Sequence, residues 1–253
     1  MIGVGSGANM SDSNAKIRLY VNASLGAGQP VSLNAGQSHY LFSVMRLGIG
    51  DSLRAFNGQN GEWLAQVSQA HKRAGQVICI EQSAPQTSPP DLWLLFAPLK
   101  KARTDIVVEK AVELGVLRII PVLTQRTNAE RLRIDRLHAH AIEAAEQCGA
   151  TFVPPIDEPV KLDRVLTNWP QDRTLIFCDE TRDATTMAKA LHSGQTPAAI
   201  LIGPEGGFAP EESARIKSLP QTIAVTLGPR ILRADTAALA ALTIWQSALG
   251  DWK

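Results

Sequence analysis

The sequence predicts an α/β protein in two parts: a small β-barrel followed by a layered domain on a mostly parallel sheet. Three observations predict it. Residues 16–84 carry short alternating or apolar runs at the spacing of small strands. From residue 91 onward, apolar runs alternate with stretches of helical spacing. Near the C-terminus, Gly203-Pro204-Glu205-Gly206-Gly207 and Leu227-Gly228-Pro229-Arg230-Ile231-Leu232-Arg233 each leave an apolar run and lead into a helical pattern.

Residues 1–15, rich in Gly, Ser, Asn and Ala, are expected to form a disordered tail. Gly3-Val4-Gly5-Ser6-Gly7-Ala8 within it matches a dinucleotide-loop pattern, but no strand precedes it and no helical run follows, so it is rejected as a cofactor loop. In the barrel the expected strands are Ile17–Val21, Ser52–Phe56, Glu62–Val67 and Gln76–Ile80. Asn57-Gly58-Gln59-Asn60-Gly61 supplies a hairpin turn, and Ser38–Leu47 reads as one short helix. Residues 85–90, with Pro at both ends, read as a linker.

The second domain, 91–253, opens with strand Leu92–Phe96 and helix Asp105–Leu114, closed by Gly115. Strand Leu117–Leu123, helix Ile134–Cys148, strand Thr174–Cys178 and helix Ala184–Leu191 follow. Strand Ala198–Ile202 precedes the first glycine turn, and Pro210 with Glu211 and Glu212 starts the next helix. Strand Thr222–Leu227 precedes the second turn, and helix Asp235–Leu249 ends the chain. In parallel sheets ligands bind at the carboxyl ends of strands, where both turns fall.

With 253 residues, 45% of them hydrophobic, the chain can bury a substantial core. A formal net charge of +1 excludes a general polycation, so a nucleic-acid partner would need a local basic surface. Cys79, Cys148 and Cys178 are far apart and lack CxxC spacing, which fits a reducing compartment and no metal site. No run suits a membrane span and no secretory signal opens the chain, so a cytoplasmic protein is expected. His138 and His140 lie two apart on a helix, point in different directions, and read as surface residues.

The first turn lacks the Gly-Lys-Ser/Thr end of a phosphate loop, and Glu205 puts negative charge where phosphate would sit. In the second, Ile231-Leu232 could hold a flat ring while Arg233 faces an anion. The alternative is that Asp235 caps the last helix and pairs with Arg233. Each turn taken alone reads better as a plain strand-to-helix connection, and it is the pair, with charged residues in an apolar frame, that favours a site. Lys100, Lys101 and Arg103 form one basic cluster. A second, Arg126 to Arg136 with interspersed acids, suits a solvated helix face or a phosphate strip.

Beyond the tail, nearly the whole chain resembles the RsmE family of 16S ribosomal RNA uridine-N3 methyltransferases, in the SPOUT superfamily. The resemblance rests on His39–Leu47 with Gly50-Asp51 and Phe56-Asn57-Gly58, on Lys110–Gly115, Gln125-Arg126-Thr127 and Glu146–Gly149, and most specifically on IGPEGGF (202–208) and LGPRILRADTAAL (227–239). Asp235 stands where Glu is usual, and Ala150 where Arg is common. The resemblance implies a PUA-like RNA-binding barrel and a trefoil-knotted α/β methyltransferase domain in a homodimer. It implies S-adenosylmethionine held by Leu201, Ile202, Gly203, Pro204, Glu205, Gly206, Gly207, Leu227, Gly228, Ile231, Leu232 and Thr236. Arg233, with Glu205 second, is the expected catalytic residue. With ribosomal RNA as partner, Arg18, Arg46, Lys100, Arg103 and Arg126 are the expected RNA contacts. Three other readings stay open: a non-catalytic RNA-binding protein with a degenerate pocket, a methyltransferase acting on another RNA position, and a small-molecule enzyme on an ordinary doubly wound fold.

Overall fold

The computed structural model describes residues 15–128, 132–181, 183–192 and 195–252, apart from the Lys101 side chain. The tail expectation therefore lies outside the described residues except for Ala15, which is buried. Two compact units form: residues up to Thr87 with Glu146–Phe152, and Ser88–Ala145 with Val153–Lys253.

In the first unit a five-stranded mixed sheet runs in the order β1 (Arg18–Tyr20), β3 (Ser52–Phe56), β4 (Glu62–Gln69), β5 (Gln76–Ala84), β2 (Pro30–Ser32). Strand β1 is parallel to β3 and the other pairings are antiparallel. Alternation puts Leu53, Ala55, Val67, Val77 and Cys79 in one apolar core with Val31 and Leu41. The β3–β4 turn forms as expected, its Asn57 Oδ1 accepting the N–H groups of Gln59 and Asn60. The expected helix at 38–47 starts earlier, as α1 (Ala35–His39), because Asn34 and Gln37 close a capping box. It continues as a π-helical turn, Tyr40–Val44, and ends at Arg46, whose φ is +59°.

Arg18 is not an exposed RNA contact. Its guanidinium pairs with Glu62 at 2.5 Å, donates to the carbonyls of Glu146 and Ala150, and lies 4.5 Å from the Phe56 ring centre. Burial alone would raise the Glu62 carboxyl, but hydrogen bonds from Arg18 and Ser83 and the nearby Arg54 charge hold it below its ordinary value.

The second unit is a six-stranded sheet, all parallel, in the order β11 (Thr222–Val225), β9 (Thr174–Cys178), β10 (Ala198–Ile202), β6 (Leu92–Phe96), β7 (Arg118–Leu123), β8 (Val160–Lys161). The sequence builds outward from β6, restarts at β9, and then slots β10 between them. Strand β10 (AAILI) is buried at every residue, as a central parallel strand must be. The helices are α2 (Lys101–Glu113), α3 (Ile134–Cys148), α4 (Leu162–Thr167), α5 (Met187–Ala190), α6 (Pro210–Lys217) and α7 (Ala234–Leu249). The expected helix at 184–191 shrinks to α5. Extended chain at Thr185–Thr186 instead follows β11, with Thr226 donating to the Thr185 carbonyl and Met187 donating to the Thr226 carbonyl. His140 links helices rather than facing water, its Nδ1 3.0 Å from Glu109, while Arg136 binds Asp105 at 2.6 Å.

Candidate active site

Three parallel strands end side by side at Cys178, Ile202 and Val225, and the chain leaving them encloses a cavity of about 380 Å³. This is the size of a small-molecule site, at the position where parallel sheets bind ligands.

The first loop is fixed by its glycines. A side chain on Gly203 would meet the Phe208 ring at 2.5 Å, and Phe208 is held edge-on by Phe177, centroids 5.3 Å apart. Gly207 has φ +68°, and its N–H closes a turn onto the Pro204 carbonyl at 2.9 Å. Neighbouring chain braces the loop: Arg126 donates to the Gly206 carbonyl at 2.9 Å, and Glu212 accepts from the N–H groups of Gln125 and Ala209. Arg103 on α2 pairs with Glu205 of this loop and lies 3.9 Å from Asp235 at the start of α7. One cation therefore touches acids from both glycine-turn segments.

Among the expected cofactor residues, Ile202, Gly203, Pro204, Glu205, Leu227, Ile231 and Leu232 line the cavity, and so does Arg233. Leu201 does not; its side chain sits in the apolar core beneath the sheet's surface, with Leu175 and Phe177. Gly206, Gly207, Gly228 and Thr236 are also outside the lining: Gly206 faces Arg126, Gly207 faces Glu180, and Thr236 is exposed on α7. Arg233 occupies the N-cap position of α7, with no side-chain cap bond. Asp235 accepts from the Thr236 N–H at 3.0 Å and neighbours Arg103, so the alternative Arg233–Asp235 pair does not form. Neither Arg230 nor Arg233 has an ion-pair partner among the described residues. Arg103, expected on an RNA face, is instead a lining residue with its guanidinium engaged by acids. Lys100 and Arg46 are exposed, and Arg126 is exposed with one donor used on Gly206.

Sequence reasoning missed the third wall. Cys178, Asp179 and Glu180, leaving β9, all line the cavity, as do Thr226 and Phe208. Applying the carboxyl-end rule to every strand, and not only to those followed by glycines, would have found them. Burial pushes the Cys178 thiol up to about 12, which keeps it protonated and unsuited to nucleophilic work. Burial would likewise raise the Asp179 carboxyl, but hydrogen bonds from Lys217, at 2.6 Å, and Thr181 hold it below its ordinary value.

An RNA methyltransferase domain model matches residues 86–246, and an RNA methyltransferase PUA domain model matches 33–78. Ribosomal RNA small subunit methyltransferase E of Rickettsia conorii is 30% identical over 89% of this chain and 93% of its own. This chain belongs to that family. The small subunit methyltransferase E from Neisseria gonorrhoeae, solved bound to S-adenosyl methionine, is 27% identical with a TM-score of 0.84, covering 94% of this chain and 99% of its own. A Legionella pneumophila structure with bound SAM is 30% identical, with a TM-score of 0.83 over 93% of this chain and 98% of its own. As a member of the methyltransferase E family, the chain carries an N-terminal PUA-like part and a C-terminal α/β methyltransferase domain. Among the described residues no helix is long and apolar enough to cross a membrane, and no group of three or more His, Cys, Asp or Glu could hold a metal ion.

Proposed function

We propose that this chain transfers the methyl group of S-adenosylmethionine to N3 of a specific uridine in 16S ribosomal RNA, working in the cytoplasm as a homodimer. The observation that carries the reading is the cavity between the two glycine-turn segments, in a member of a family with neighbours solved holding that cofactor. The residues present fit the cofactor. Ile202, Pro204, Leu227, Ile231 and Leu232 offer apolar walls for a flat base, and charged groups of both signs are available for its amino-acid end. When bound, S-adenosylmethionine supplies an electrophilic methyl on a sulfonium.

The chain's own residues do the rest. Loss of the N3 proton spreads negative charge over the flanking uracil oxygens, and Arg233, which has no ion-pair partner among the described residues, stabilises it. Glu205, already bound by Arg103, holds the first loop in place rather than moving a proton. The walls of the cavity orient the methyl, so that approach geometry supplies much of the remaining acceleration. No residue has to form a covalent intermediate.

The RNA surface includes Arg46 in the first unit, where exposed Tyr40, Val44, Met45 and Ile49 surround a residue at positive φ. Such backbone strain in a non-glycine residue often accompanies function. Lys100 and the free donors of Arg126 extend the basic contacts in the second unit. Ile231, 76% exposed on the lip of the cavity, supports a site completed by a second copy of the chain. The strand order, with β10 set between β6 and β9, is compatible with the family's trefoil knot.

Small subunits and naked 16S RNA from cells lacking this protein, incubated with the chain and labelled S-adenosylmethionine, test the reading. The expected product is one labelled 3-methyluridine at one position. Transfer to another atom, or to many positions, would overturn it.

A further inference from the structure

The charges lining the cavity are not all in the same condition. Of the three carboxylates, Asp179 is bound by Lys217 and Glu205 by Arg103, whereas Glu180 has no ion-pair partner among the described residues. Of the three guanidiniums lining the cavity, Arg103 is engaged by Glu205 and Asp235, and Arg230 and Arg233 have no ion-pair partner among the described residues. What remains is one free anion and two free cations around one cavity. That complement suits a zwitterion, a group bearing an ammonium and a carboxylate on one carbon.

The Glu180 carboxylate is also seated. It occupies the space that a side chain on Gly207 would fill, so the absence of a Cβ at 207 is what lets it lie against the first loop. Glycine at 207 therefore serves two ends: it permits the φ of +68° and it leaves room for an anion.

We infer that Glu180 is the cofactor-recognition residue for the α-ammonium of S-adenosylmethionine, with the amino-acid carboxylate drawn to Arg230, and Arg233 left for the uracil. This rests on the methyltransferase reading above and adds the group by which the cofactor is selected. A charge-assisted hydrogen bond of this kind is roughly twice as strong as a neutral one.

Three ligands separate the possibilities by calorimetry on the intact protein: S-adenosylmethionine, S-adenosylhomocysteine, which lacks the sulfonium charge, and 5′-methylthioadenosine, which keeps base and ribose but lacks the amino-acid end. Glu180→Gln is expected to weaken the first two roughly 10- to 100-fold and to leave the third unchanged. Retained binding of methylthioadenosine also shows that the variant is folded. Equal losses for all three would overturn the assignment in favour of the ribose hydroxyls. Loss for S-adenosylmethionine alone would overturn it in favour of the sulfonium, and no loss for any would remove Glu180 from recognition altogether. A wild-type protein that bound none of the three would instead count against the methyltransferase reading itself.

Discussion

The two ends of the parallel sheet use arginine in opposite ways. At the amino ends of the strands, Arg173 lies 3.7 Å from the Trp93 ring centre, pairs with Asp91 at 2.9 Å, and donates to the carbonyls of Asp91 and Ala198. Arg118 lies against the same ring and grips Asp157 through two hydrogen bonds. At the carboxyl ends, Arg230 and Arg233 line a cavity with no partner among the described residues. A guanidinium held by a ring, a carboxylate and backbone carbonyls in one packed arrangement contributes stability. One left without a partner beside a cavity costs the fold little to keep and is free to meet a ligand.

Replacement of one arginine at each end should separate these roles. Arg233→Ala is expected to cut single-turnover methyl transfer by roughly 10²–10³, while cofactor affinity stays within a few-fold and the melting temperature is unchanged. Equal losses in rate and affinity, measured by rapid quench and calorimetry, would return Arg233 to a binding or structural role. Arg173→Ala should do the reverse. Losing its ion pair, its ring contact and two carbonyl bonds should destabilise the second unit by about 3 kcal/mol. At the usual slope for a unit of this size that is a fall in melting temperature of roughly 6–12 °C, with cofactor affinity intact below the transition. A Arg173→Ala protein with a normal melt would show that burial of a paired arginine is no guide to stability here.

The contrast between the two ends was only partly legible in the sequence. Apolar runs and helical spacing set out the strands and helices because those patterns are local. The two glycine turns were legible for the same reason: Gly203 and Gly207 answer to Phe208 and Pro204, a few residues away. Glu180 was legible only as one residue among those following several strand ends, because nothing in its own neighbourhood says that β9 lies between β11 and β10. Arg18 misled for a related reason. It looks like a free surface cation in sequence, yet the carbonyls it binds belong to Glu146 and Ala150, more than a hundred residues on. Arg103 read as one member of a basic run, and only the fold sets it against Glu205 and Asp235.

Arg103 is the intermediate case, a carboxyl-end arginine that does have partners. Its side chain and that of Glu205 are both substantially exposed, so the pair belongs to the class worth at most about 1 kcal/mol. Arg103→Ala is expected to weaken cofactor binding about two- to fivefold with no change in melting temperature. Arg103→Lys should recover only part of that, since a single ammonium cannot reach Glu205 and Asp235 with a planar fork. The gap between wild type and Arg103→Ala should narrow as salt is raised. A loss as large as that of Arg233→Ala would move Arg103 into the chemistry and blur the distinction between paired and unpaired arginines.

The smallest effect on cofactor binding, and the sharpest limit on the comparison, concerns Asp179. It lines the same cavity as Glu180 but is buried and bound by Lys217, so by the reasoning above it belongs with the stabilising groups despite its address. Its folded carboxyl is held below the ordinary value. The stabilisation it brings is therefore fully present above the unfolded carboxylate range, and is lost as pH falls through the lower folded value. In Lys217→Met the carboxylate stays buried without its cation. The stability gap between wild type and variant, read from urea unfolding, should be full above about pH 5 and close toward about pH 2, where the group is protonated in both. Cofactor affinity at neutral pH should change little. A variant that kept its stability profile but lost cofactor binding would place Asp179 among the recognition groups, and pairing, rather than position at the sheet's end, would no longer tell the two kinds of charge apart.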